Sequence, residues 1–98
     1  MSHHDLNAIA TQLPDAWRST LLARIGETHL KVTRMDGSPY EEEVHAYAEG
    51  LLVIDGQLNL IVAGQPKAVC RGELYIVPAG VPHAVAAGST GTLVILDV

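Results

Sequence analysis

The stretch Gly37-Ser38-Pro39-Tyr40-Glu41-Glu42-Glu43-Val44-His45-Ala46-Tyr47-Ala48-Glu49-Gly50-Leu51-Leu52-Val53-Ile54-Asp55-Gly56 decides how this chain reads. Turn residues stand at both ends, and the middle alternates. Side chains on a strand change face at every residue. A strand over residues 42–48 therefore puts Glu43, His45, Tyr47 and Glu49 on one face and Val44, Ala46 and Ala48 on the other. The second set is small and apolar, so the polar set would be an odd outer face; turned inward, it lines one wall of a cavity, as metal ligands or as core histidines satisfied by Glu49 and Tyr47. Buried carboxylates and imidazoles are costly without partners, and a divalent metal is one partner that satisfies them together.

The pattern continues outward on both sides. Short segments rich in Val, Leu, Ile or Thr run near 18–26, 29–36, 42–48, 51–55, 58–63, 67–71, 74–77, 83–87 and 92–97. Gly26, Asp36-Gly37-Ser38-Pro39, Gly50, Gly64-Gln65-Pro66, Gly72 and Pro78-Ala79-Gly80 punctuate them. Many short strands with regular turns predict a β-sandwich or barrel. Asp55-Gly56 is the strongest hairpin signal, because a type I′ turn needs positive φ at both central residues. Ahead of the strands, residues 5–13 predict a short helix. Leu6, Ile9, Ala10 and Leu13 form its apolar stripe, Asp5 caps it and Pro14 ends it.

Size and charge narrow the possibilities. The chain has 98 residues, enough for one small domain spanning 1–98, and 48% of them are hydrophobic against 17% charged, which argues against disorder. The net charge of −5, with scattered Lys and Arg, disfavours nucleic-acid binding. Cys70 is the single cysteine, so no intrachain disulfide is expected and a buried apolar role is the default. The N-terminus lacks the build of a signal peptide, and no apolar run is long enough for a membrane-spanning helix. A cytoplasmic protein is the default expectation. Leu51-Leu52-Val53-Ile54 and Leu93-Val94-Ile95-Leu96 look apolar on both faces. That fits a double-layered interior or a face packed against a second copy, and a homodimer is expected for so small a chain.

A second motif, Gly72, Pro78, Gly80 and His83, lies further along. The turn Pro78-Ala79-Gly80-Val81-Pro82 restricts the backbone and fixes how His83 enters its strand. With both motifs in view, the chain resembles the cupin superfamily of small β-barrels. The first cupin motif is matched by Gly37, His45, Glu49 and Gly56, with Glu43 where a first histidine would stand. The second is matched by Gly72, Pro78, Gly80 and His83, with Ala87 in place of a closing asparagine. The resemblance covers residues 37–87. It implies an all-β double-stranded β-helix (jelly-roll) barrel over about 18–98, frequent homodimers, and a divalent metal ion (Fe, Mn, Zn or Ni) held by His45, Glu49 and His83.

Glu43 is then a fourth ligand or a catalytic general base beside the metal. Two imidazoles and two carboxylates make a divalent site neutral and favour the harder metals. Tyr47 and Arg34 are candidate substrate-binding residues. Tyr47 shares the inward face, and the alternation of Leu30, Val32 and Arg34 with Lys31 and Thr33 brings Arg34 to the inner face near the mouth, where it suits an anionic ligand or a salt bridge to Glu41, Glu42 or Glu43. The expected function is a small-molecule, metal-dependent enzyme of dioxygenase, isomerase or lyase type. The alternative is a module that binds a small molecule or metal without turnover.

Overall fold

The computed structural model describes residues 2–98. One helix, α1 (Leu6–Gln12), precedes eight strands: β1 (Thr20–Ile25), β2 (Thr28–Asp36), β3 (Tyr40–Glu43), β4 (Glu49–Val62), β5 (Gln65–Cys70), β6 (Leu74–Val77), β7 (His83–Val85) and β8 (Thr90–Asp97). Asp5 caps α1 as its composition predicts, its carboxylate accepting from the Ala8 amide. All pairings are antiparallel, in the order β1-β2-β8-β4-β7-β3, with β5 and β6 also paired to β4. The result is an all-β barrel.

β4 closes that barrel. Its first half pairs with β6 and β8, its second half with β5 and β7. A straight strand of this length would run for roughly 40 Å or more. Yet Val62, at its end, is the register partner of His83, while the side chain of Glu49, at its start, lies 3.3 Å from the His83 imidazole. The strand must curl to bring both ends to one residue. A register shift between Val53 and Asp55 marks the bend. The inward parity changes across it: Leu51 and Val53 point into the core before it, Leu58, Leu60 and Val62 after it.

This corrects the expected hairpin at Asp55-Gly56. The strand runs through these residues without turning. Gly56 lies opposite Gly91 of β8, where a Cβ on Gly56 would stand 1.8 Å from the Thr90 carbonyl oxygen. Gly56, at φ 80°, permits a close backbone approach rather than a turn. The two-residue turn comes later, at Ala63-Gly64, with φ of 48° and 78° between paired Val62 and Gln65.

The interior cluster comprises Met35, Leu51, Val53, Leu58, Leu60, Val62, Val69, Val77 and Leu93. A smaller apolar layer lies on the outer side, where α1 packs on β2 and β8 and Ala10, Val32 and Val94 are buried. Cys70 departs from its expected burial: Val69 takes the core position, and the thiol is exposed. Among the described residues, no helix is long and apolar enough to cross a membrane.

Candidate metal centre

The expected strand over 42–48 is broken. β3 stops at Glu43, residues 44–48 bend, and β4 begins at Glu49. The bend is pinned from across the barrel, where the Gly80 amide donates to the His45 carbonyl at 2.8 Å. The two motifs are thus joined by backbone as well as by side chains. The bend still keeps the alternation: Glu43, His45, Tyr47 and Glu49 line the cavity, while Val44, Ala46 and Ala48 are exposed.

Four groups converge. Glu43 and His83 are cross-strand partners between β3 and β7. One potential ligand atom each from Glu43, His45 and His83 lies within 4.8 Å of the others. Glu49 spans the two imidazoles, with Oε1 3.3 Å from His83 Nε2 and Oε2 3.7 Å from His45 Nε2. Glu43 Oε2 lies 3.1 Å from His45 Nε2, but not in the direction a hydrogen bond needs, so that buried nitrogen has no hydrogen-bond partner. His83 is better defined. Its Nδ1 lies 3.1 Å from the Val81 carbonyl, an acceptor only. Nδ1 therefore carries the proton, and Nε2 is left with a lone pair facing Glu49. Tyr47 stacks on His45 with ring centres 5.0 Å apart and planes 8° apart, which holds the imidazole from one side.

Burial pushes the Glu49 carboxyl above its ordinary range. His45 and His83 pull it down, and Asp97 and Glu43 push it up again. The Glu43 charge, more than burial, raises the Tyr40 hydroxyl. Two carboxylates facing two imidazoles, one of them fixed as a lone-pair donor, fit a divalent cation of the Mn, Fe, Zn or Ni group.

The centre opens into a cavity of about 260 Å³. Arg34 is not in it, contrary to expectation. The parity of β2 is the reverse: Lys31 and Thr33 line the cavity, and Arg34 points to the outer side. There its guanidinium donates to the carbonyls of Leu13 at 3.1 Å and Pro14 at 3.5 Å, tethering the segment after α1. It pairs with none of Glu41, Glu42 or Glu43.

Three wall residues escaped the sequence reading. Lys31 Nζ lies 2.7 Å from Asp97 Oδ2, and both line the cavity with Thr33. Thr33 is 1% exposed, and its hydroxyl has no partner. The available signal was the Leu30-Lys31-Val32 stretch, where a lysine between two apolar residues needs an acid nearby if it turns inward. Trp17, whose amide donates to the Arg34 carbonyl, lines the same cavity and packs against Tyr40.

The cupin-domain family model matches residues 30–98. Among solved structures, the fold is similar to a cupin-2 domain-containing protein from Shewanella frigidimarina NCIMB 400. The two are 22% identical, with 96% of this chain and 92% of that chain covered and a TM-score of 0.86. It is also similar to a protein provisionally assigned as a mannose-6-phosphate isomerase from Ralstonia eutropha JMP134, at 19% identity, 98% and 96% coverage and a TM-score of 0.82. KdgF from Halomonas sp. is a third neighbour, at 18% identity, 80% and 73% coverage and a TM-score of 0.67. Likeness at these identities is likeness of fold. No curated protein sequence matches the chain.

Proposed function

The chain belongs to the cupin family, and on that premise we propose that His45, Glu49 and His83 hold a divalent metal ion beside a small-molecule cavity, with the Glu43 carboxylate next to it. The observation that carries this reading is His45 Nε2, buried without a hydrogen-bond partner between two carboxylates. An unsatisfied buried polar atom costs about 1–3 kcal/mol, and a cation gives that nitrogen its partner. A metal bound there supplies Lewis acidity towards an oxygen of the bound molecule. Glu43 is the more exposed carboxylate, 37% against 12% for Glu49, so it is the group placed to accept a proton from that molecule. Metal-assisted proton transfer, the chemistry of isomerases and lyases, suits this layout best. Binding without turnover is the second reading, favoured by the nearness of Glu43 to His45, which draws its carboxylate towards the ligand set.

Metal analysis of protein purified without a histidine tag tests the proposal. About one equivalent of Mn, Fe, Zn or Ni is expected in the wild type and none in His83→Ala. A wild-type protein that neither contains nor takes up any of these ions refutes it.

We also propose that two copies pair through the outer face of β1, β2, β8, β4 and β6. Leu30, Leu96, Leu52, Leu74 and Ile76 fall on that face by register, with Gly50 flanked by Leu96 and Ile76. Leu74 and Ile76 are 51% and 52% exposed. A second copy is the fitting occupant, because the aliphatic patch of Leu30, Leu96, Leu52, Leu74 and Ile76 is complementary to itself about a two-fold axis while the rest of this acidic chain repels a copy. Sedimentation should give a dimer that Ile76→Glu converts to a monomer. A monomeric wild type at micromolar concentration rules this out.

A further inference from the structure

We infer that the cavity takes a neutral or cationic ligand bearing hydroxyl groups and rejects carboxylated and phosphorylated ones. This rests on the cavity being the ligand site, and it holds whether or not a metal is bound. The charges of the wall carry the argument. Glu41, Glu43, Glu49 and Asp97 face the cavity against one ammonium, Lys31. Lys31 is already engaged by Asp97 at 2.7 Å. Arg34, the other cation of β2, is on the outer side with its guanidinium on the Leu13 and Pro14 carbonyls. In formal charge, four carboxylates against one ammonium leave the wall with three negative charges in excess. A divalent ion reduces that excess to one without reversing it. An anion entering the cavity therefore meets carboxylates and finds no free cation.

The hydrogen-bonding groups point the same way. Carboxylates only accept, so a matching ligand must donate. The Thr33 hydroxyl is buried in the wall without a partner, and Asp97 Oδ1 has no hydrogen bond although His29 Nδ1 lies 3.5 Å away. Buried polar groups left without partners inside a cavity wall mark where a ligand supplies them. Trp17, Tyr40 and Tyr47 add aromatic surface, which suits the C–H faces of a polyol ring. A wall rich in carboxylate acceptors, with the Trp17 indole N–H and the Thr33 hydroxyl also unpartnered and three aromatic rings around so small a volume, fits a hydroxyl-bearing molecule the size of a single sugar ring.

Trp17 is the sole tryptophan, so its emission reports the cavity directly. The probes are D-glucose, D-glucosamine and D-glucuronate, which share one ring and differ in charge, titrated into the protein as purified and again after adding Mn²⁺. Glucose and glucosamine should shift the emission saturably, with glucuronate at least about tenfold weaker. Glu41→Lys, a change at an exposed wall position outside the proposed ligand set, should narrow that gap by favouring glucuronate. Thr33→Val keeps the shape of the side chain and removes the hydroxyl, so glucose should bind it more weakly; unchanged affinity removes Thr33 from the ligand contacts. Glucuronate binding as tightly as glucose overturns the inference, and so does failure of all three probes to bind. Metal content, measured separately, tells that failure apart from failure of the metal proposal.

Discussion

Gly56→Ala and Gly64→Ala, compared side by side, test the course of β4. Both glycines have nearly the same φ, 80° and 78°, so both substitutions carry the same backbone penalty. A left-handed alanine costs roughly 1–2 kcal/mol, partly offset by about 0.4–1 kcal/mol from the less flexible unfolded chain. At Gly64 a new Cβ meets nothing within 4 Å, so the net cost there is about 1 kcal/mol. At Gly56 it stands 1.8 Å from the Thr90 carbonyl oxygen, where real Cβ contacts do not fall below 3.0 Å. The β8 backbone must therefore yield by about 3.0 − 1.8 = 1.2 Å. Forced insertion of this kind costs about 1–3 kcal/mol, and a disturbed ladder hydrogen bond adds about 1 kcal/mol. The total for Gly56→Ala is about 3–5 kcal/mol, a large share of the 5–15 kcal/mol typical of a whole domain. Thermal melts followed by Trp17 fluorescence give the comparison, at roughly 4–8 °C per kcal/mol for a chain of this size. Gly56→Ala should lower the midpoint at least about threefold more than Gly64→Ala. Equal shifts would refute the reasoning, because a Gly56 in an open hairpin turn would pay only for its φ.

Ala63 occupies a left-handed position better suited to asparagine. Ala63→Asn should raise stability by about 0.5–1 kcal/mol, read as a higher urea midpoint at unchanged slope. Arg34→Ala should cost about 1 kcal/mol through the lost tether to Leu13 and leave metal content and glucose binding unchanged. A loss of ligand binding in that variant would return Arg34 to the cavity. In the metal-free protein, Glu49 holds its proton more tightly when folded than when unfolded. Its contribution to stability is full below the ordinary carboxylate value of 4.5 and is lost as pH rises through the raised folded value. A metal needs the ionised carboxylate, so chelation should lower the melting midpoint more at pH 8 than at pH 5 (~3 pH units apart). A chelator effect independent of pH would contradict this.

The site was legible in the sequence to the extent that local spacing determines it. Glu43, His45 and Glu49 are two and four residues apart, and strand alternation keeps them on one face even though the chain bends between them. The Pro78–Pro82 turn announced a constrained approach for His83. Arg34 and Lys31 were less legible. Parity on β2 reads equally well either way, and the deciding facts are distant: α1 covers one face, and Asp97 waits on the other. Asp55-Gly56 misled for a related reason. A positive φ that opens a hairpin and one that lets two backbones meet demand the same residue.

The sequence by itself determined the strand-rich character of the chain, the two motifs, and which acids and imidazoles would share a wall. These follow from periods of two residues and from backbone restrictions at Gly and Pro, which act within a few positions. Only the tertiary structure decided that β4 runs through Gly56 and curls until Glu49 and Val62 meet His83. Only it turned Lys31 inward and Arg34 outward, leaving a cavity lined by acids. Those outcomes depend on which strand lies opposite, and that is set by closing the barrel around a shared core rather than by any neighbour in sequence.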